Sequence, residues 1–272
     1  MLSVQNLQKT YATQNGSVEA IRDISFTVER GEFVCIVGPS GAGKTTLLKC
    51  LSGLLRRTSG AITLDGRDVN GPPKEMAFVF QDYTRSLMPW LTAARNIELP
   101  LKNDCPDKKL RAARVEKALE EVGLSAFADK HPWEMSGGMQ QRIAIARAIA
   151  YNPEILVMDE PFASVDAQTR ADLEDLTLKV ARELGVTVLL VTHDIDEAVY
   201  LADKVVVLSS RPTTVLETVP VTMPRIRDQL NTKSLPEFAE LRARVLKLIR
   251  RVDASPTAVS ESASLVSANH DV

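Results

Sequence analysis

The chain has 272 residues, 44% of them apolar, and a formal net charge of −2. This length and apolar share support one large packed domain or two small ones. The near-neutral balance excludes a global basic field of the kind that draws a protein to nucleic acid or acidic lipid, so no nucleic-acid partner is expected.

The N-terminus has no charged segment leading into a long apolar one, and no secretory leader is expected. No run of about 18 apolar residues occurs, so no membrane span is expected. The segments "AIRDISFTVERGE" and "GAITLDGRDV" alternate apolar and polar residues, the pattern of antiparallel strands with one covered face. Short apolar runs follow: "FVCIVG" (33–38), "MAFVF" (76–80), "EILVMDE" (154–160), "TVLLVTH" (187–193) and "KVVVLSS" (204–210). Each reads as a buried strand. Helical patterns such as "KTTLLKCLSGLL" and "TRADLEDLTLKVARELG" lie between several of them. Strands alternating with helices predict an α/β fold with a mostly parallel sheet covered on both faces.

Within 82–150, "PDKKLRAARVEKALEEVGL" and "MQQRIAIARAIA" predict an α-helical insertion. Residues 1–215 form the expected main domain, and 216–251 a C-terminal helical extension. In that extension Phe238, Leu241, Val245, Leu248 and Ile249 share one helical face. The Ser/Ala-rich tail 252–272 is expected to be disordered. The cysteines, Cys35, Cys50 and Cys105, are odd in number and form no C-x-x-C, which argues against a disulfide framework and fits a reducing compartment. Cys35 reads as a small core residue.

"GPSGAGKT" is a complete G-x-x-x-x-G-K-T loop between a predicted strand and a predicted helix. The loop Gly38, Pro39, Ser40, Gly41, Ala42 and Gly43 can close on phosphate oxygens through its backbone N–H groups, which every one of these residues but Pro39 carries. Lys44 reaches the β/γ-phosphates, Thr45 offers its hydroxyl to Mg²⁺, and Thr46 completes the binding segment. Asp159 and Glu160 end a buried strand, where ligands bind in parallel sheets. Asp159 suits Mg²⁺ through water, and Glu160 suits the orientation or deprotonation of an attacking water. Gln81 and His193 also close strands. Gln81 is a candidate contact to Mg²⁺ or the water, and His193 to the γ-phosphate. Tyr11 admits two readings, adenine stacking or simple packing. "MSGGMQQR" places Ser136, Gly137 and Gly138 at a second helix start suited to an anion.

In this order, Tyr11, "GPSGAGKT", Gln81, "MSGGMQQR", "ILVMDEP", "ASVDA" and His193 resemble the ATP-binding cassette (ABC) family over about residues 1–210. The resemblance implies a P-loop NTPase core of the ABC ATPase type, with an N-terminal antiparallel β subdomain and an α-helical insertion. It also implies two copies meeting head to tail, with Ser136, Gly137 and Gly138 closing over ATP held by the other copy. By the same resemblance Glu160 is the catalytic base, His193 the γ-phosphate sensor, Tyr11 the adenine-stacking aromatic and Asp166 part of a dimer-facing loop. ATP and Mg²⁺ are the implied ligands. Met139 departs from the glutamine many members carry there, and removes that side chain's polar contacts.

"VFQDYTRSLMPWLTAARNIELPL" and "MPRIRDQLNTKSLPEFAELRARV" are similar to the importer branch for nitrate, sulfonate, taurine and bicarbonate. That likeness implies an ATP-hydrolysing importer subunit on the cytoplasmic face of the cell membrane. Its partners would be transmembrane permease subunits and, indirectly, a periplasmic or extracellular solute-binding protein. The alternative is a non-transport ABC ATPase in DNA or ribosome processes. Such a protein needs a long coiled-coil insert or two cassettes in one chain, and this sequence carries one loop, one signature and no sustained heptads. "RSLMPWL" (85–91) reads either as core of the insertion or as a groove for a short permease helix.

Overall fold

The computed structural model describes residues 1–13, 16–82 and 86–253. Its ten strands are β1 Leu2–Thr13, β2 Gly16–Val28, β3 Phe33–Val37, β4 Ser59–Leu64, β5 Arg67–Asp68, β6 Met76–Val79, β7 Ile155–Asp159, β8 Thr187–Val191, β9 Lys204–Leu208 and β10 Thr213–Pro220. The helices are α1 Lys44–Leu51, α2 Ala93–Glu98, α3 Leu101–Asp104, α4 Lys108–Glu121, α5 Gly137–Ala150, α6 Ala167–Leu184, α7 Ile195–Leu201 and α8 Pro236–Asp253. The strands form one sheet in the order β5-β4-β1-β2-β10-β9-β3-β8-β7-β6.

The β1–β2 and β1–β4 pairs are antiparallel, as the alternating pattern of the N-terminal segments predicts. The pairs β3–β8, β3–β9, β7–β8 and β6–β7 are parallel. Every residue of β3, β7 and β8 is buried, which explains their unbroken apolar sequences. Successive side chains of a strand point to opposite faces, and β3 shows the consequence. Phe33, Cys35 and Val37 pack with α5–α8, whereas Val34 and Ile36 pack with α1 and the antiparallel strands.

Between β6 and β7 the described residues are helical, with α2, α4 and α5 packed together. Asp107, Ser136, Asp166 and Asp194 cap the starts of α4, α5, α6 and α7 with side-chain oxygens.

Toward the C-terminus the structure departs from the expected boundary at 215. Strand β10 runs across it from Thr213 to Pro220, and regular helix resumes only at Pro236. The alternation in "TTVLETVP" is weak because β10 sits between β2 and β9, joined to neighbours on both sides. Helix α8 uses the expected face, with Phe238 and Val245 buried and Leu241, Leu248 and Ile249 packed on the core. The expected tail from 252 begins inside α8, and its remainder, 254–272, lies outside the described residues. Among the described residues, no helix is long and apolar enough to cross a membrane.

Candidate nucleotide site

Parallel pairing of β6, β7, β8 and β3 brings their carboxyl ends to one edge of the sheet. Gln81, Glu160, His193 and the loop from Gly38 all leave from that edge, the place where open α/β sheets bind ligands. The strands are shorter than their apolar runs suggest. Glu160 and His193 lie one and two residues past the ends of β7 and β8, in the connecting turns.

Gly38 is pressed against β9: a Cβ there would lie 3.0 Å from the Leu208 Cβ. Gly43 precedes α1 with φ 78, a left-handed conformation that glycine adopts without strain. The Lys44 ammonium donates to the carbonyls of Gly38 and Pro39, each at 2.9 Å, and so lies across the mouth of the loop. Burial lowers its pKa, and the carboxylates of Glu160 and Asp159 oppose that shift. Ser40, Gly41 and Thr45 are exposed and Thr46 is half-buried. Tyr11 is 37% exposed, with its hydroxyl 3.3 Å from Thr46 Oγ1 and Lys9 Nζ 5.0 Å from its ring centroid. Of its two readings, core packing is the one the structure removes.

The Thr45 hydroxyl donates to Asp159 Oδ1 at 3.3 Å. Asp159 is buried, and burial raises its pKa. A hydroxyl and a carboxylate in contact beside a phosphate loop fit a hard divalent cation such as Mg²⁺, which takes oxygen ligands and keeps several waters. No group of three or more His, Cys, Asp or Glu able to hold a metal exists among the described residues. Such an ion would therefore be completed by phosphate and water.

Glu160 is the centre of the arrangement. Gln81 Nε2 donates to Glu160 Oε2 at 3.1 Å, and His193 Nδ1 lies 3.1 Å from the same oxygen. A carboxylate only accepts, so Nδ1 is the donor in that contact. Glu160 has φ 43, a left-handed backbone that costs a non-glycine residue energy. Its N–H donates to the Val191 carbonyl at 2.9 Å, which holds the turn against β8. Three residues widely separated in sequence thus meet at one carboxylate oxygen.

The second helix start is a separate, solvent-facing element. Ser136 accepts from the Met139 N–H at 3.3 Å, and Ser136 and Gly137 are exposed. Gly138 permits a close approach, since a Cβ there would lie 2.5 Å from Thr169 Cγ2 on α6. Met139 turns its side chain onto the hydrophobic core. Asp166, also exposed, caps α6 and accepts from Gln168 N–H, Thr169 N–H and the Thr169 hydroxyl. Thr169 therefore touches both the signature glycine and the Asp166 loop. Thr213, buried at the start of β10, donates to the Ala42 carbonyl and steadies the phosphate loop. Neither threonine stands out in the sequence, because each acts through a partner distant along the chain.

Lys44→Ala is expected to weaken ATP binding about tenfold to 100-fold, the scale of losing hydrogen bonds from a charged donor. Equilibrium titration with a fluorescent ATP analogue measures it. Unchanged affinity would remove Lys44 from the site.

The sequence pattern of the family described as "ABC transporter" matches residues 21–163. The nitrate import ATP-binding protein of Synechococcus elongatus is 42% identical over 89% of this chain and 89% of its own length. The aliphatic sulfonates import ATP-binding protein of Bacillus licheniformis is 40% identical over 90% of this chain and 93% of its own. Among solved structures, an ATP-binding cassette dimer in a post-hydrolysis state, bound to ADP and Pi, superposes with a TM-score of 0.72 at 33% identity, covering 82% of this chain and 100% of that one. With this pattern, these relatives and this fold in agreement, the chain belongs to the ABC transporter family, as one of its ATP-hydrolysing cassettes.

Proposed function

We propose that this cassette powers import of a small anion, of the nitrate, sulfonate or taurine type, as a head-to-tail dimer on the cytoplasmic face of the membrane. Import is supported by the relatives, which are import ATP-binding proteins, and the hydrolysis that drives it by the meeting of Gln81 and His193 at Glu160 Oε2 beside the phosphate loop. The choice of anion rests on the relatives, whose names include nitrate, aliphatic sulfonates and taurine import.

Lys44 places a positive charge on the β/γ-phosphates, and the loop's N–H groups surround their oxygens. Thr45 and Asp159 would hold Mg²⁺, which when bound would supply positive charge beside the phosphates. Glu160 takes the proton of the attacking water, and Gln81 and His193 hold the carboxylate that receives it. Tyr11 supplies a flat, exposed ring for adenine. Ser136, Gly137 and Gly138 present an exposed helix start, suited to phosphate held by the second copy. Asp166 lies on the same dimer-facing side. The solute contacts belong to the membrane subunits and, through them, to a solute-binding protein.

A groove of about 580 Å³ lies between β6 and the helical insertion, lined by Phe78, Phe80, Met88, Leu99, Pro100 and Tyr151. Leu87 is core, while Trp90 is 69% exposed, so the "SLMPWL" stretch divides between packing and surface. Arg85 lies outside the described residues. The groove suits a short apolar helix of the permease. Met88→Glu is expected to lower coupled uptake in proteoliposomes about tenfold or more, with ATPase activity and melting temperature of the isolated cassette unchanged. An isolated variant that unfolds would make Met88 core instead.

The importer reading is tested by reconstituting the cassette with its membrane subunits and measuring ATP-driven uptake of nitrate, alkyl sulfonate and taurine. Hydrolysis without association with a membrane subunit and without uptake would overturn it.

A further inference from the structure

Two helix starts near Glu160 share one carboxylate. Asp194 follows His193 and caps α7, its Oδ1 accepting from the N–H groups of Asp196 and Glu197 at 2.9 and 3.1 Å. Its other oxygen accepts from Arg170 Nη1 at 3.2 Å. Arg170 lies one turn past Asp166 on α6, so this pair links the Asp166 loop to the turn carrying His193. Behind it Glu197 is 4% exposed. Its Oε1 and the Nε of Arg170 are both closed off from solvent, and neither has a hydrogen-bond partner among the described residues. One is an acceptor and the other a donor.

We propose that Glu197 is a positioning residue for hydrolysis: it decides which carboxylate Arg170 serves, and through Asp194 where His193 stands. The proposal rests on the reading above that His193 holds the Glu160 carboxylate during hydrolysis. Burial, then the negative charges of Glu174 and Asp194, push Glu197 up to about 8, and Arg170 and the Thr192 hydroxyl oppose them. Glu174 is itself buried and accepts from Gln229 and Lys233 of the C-terminal segment. On the β3 side Glu197 faces Cys35, in the field of Arg227 and Asp203. Protonated, Glu197 is neutral and a weaker acceptor than the Asp194 carboxylate, so Arg170 stays on Asp194. On losing its proton to solvent, the carboxylate competes for the Arg170 guanidinium, and the cap behind His193 loosens.

The test is the pH profile of ATP turnover by the full chain, wild type against Glu197→Gln, which keeps the size and carries no charge. The wild type should lose about fivefold or more in kcat between pH 7 and pH 9, in a single-proton step, with KM nearly constant. Glu197→Gln should match it at pH 6.5 and stay level to pH 9. A flat wild-type profile, or the same alkaline loss in Glu197→Gln, overturns the proposal. If the variant fails to fold, the His193 ring proton of the wild type serves as the reporter. Its resonance, one of three histidines, should shift with a midpoint between pH 7 and 9, and no inflection there overturns the proposal. His193→Ala separates the two readings: normal hydrolysis by that variant would sink the site assignment itself.

Discussion

Glu160→Gln is expected to bind MgATP and to hydrolyse it on the order of 10²–10⁴ times more slowly than the wild type. The phosphate loop, Thr45 and Asp159 are untouched by the change, so ground-state binding survives. What is lost is the acceptor for the water's proton. The amide can still turn its oxygen toward Gln81 Nε2 and His193 Nδ1, which donate to Glu160 Oε2 in the wild type. The local geometry is therefore kept while the base is removed. The strained backbone at φ 43 is also unchanged, because glutamine meets the same conformational cost as glutamate. With hydrolysis stopped, the ATP-bound dimer should accumulate and elute ahead of the monomer on a sizing column in MgATP. Near-normal turnover would remove Glu160 from the role of base.

Ser136→Arg should abolish hydrolysis and ATP-driven dimerisation while leaving ATP binding to the monomer intact. The serine caps α5 through the Met139 N–H, and losing that bond costs about 0.5–2 kcal/mol of local stability. Ser136 is exposed, so the bulk of arginine points outward into the space that the proposed head-to-tail arrangement gives to the second copy. The substitution is far along the chain from Lys44, whose contacts are with the loop's own carbonyls. ATP affinity, measured at protein concentrations at which both proteins are monomeric on a sizing column, should match that of the wild type. If Ser136→Arg removes ATP binding from the isolated monomer, the signature acts on its own chain's nucleotide and the head-to-tail arrangement is wrong.

Much of the fold is legible in short stretches because its signals are local. The phosphate loop states its chemistry in eight consecutive residues, and the fully buried strands β3, β7 and β8 show as continuous apolar runs. Strand β10 is harder to see. Its burial alternates irregularly where it bridges an antiparallel neighbour on one side and a parallel one on the other. That position, more than any intrinsic β preference of "TTVLETVP", makes it a strand.

The candidate site divides along the same line. Residue types at strand ends mark Gln81, Asp159, Glu160 and His193 as candidates, since polar groups that end buried strands reach the ligand edge of a parallel sheet. Family resemblance, more than the residue itself, points to adenine for Tyr11. Only the folded chain brings Gln81 and His193 to the same oxygen of Glu160, sets Thr169 against Gly138, and lays Thr213 under the phosphate loop. The pairing of Arg170 with Asp194 in front of a buried Glu197 is likewise invisible along the chain. Sequence by itself determined the parts whose physics is local: backbone freedom at glycines, capping oxygens, strand periodicity and the chemistry of a lysine after a tight loop. Tertiary structure alone decided which distant groups share an oxygen, a cap or a buried charge, because hydrogen bonds and desolvation act over a few ångströms in space, whatever the separation in sequence.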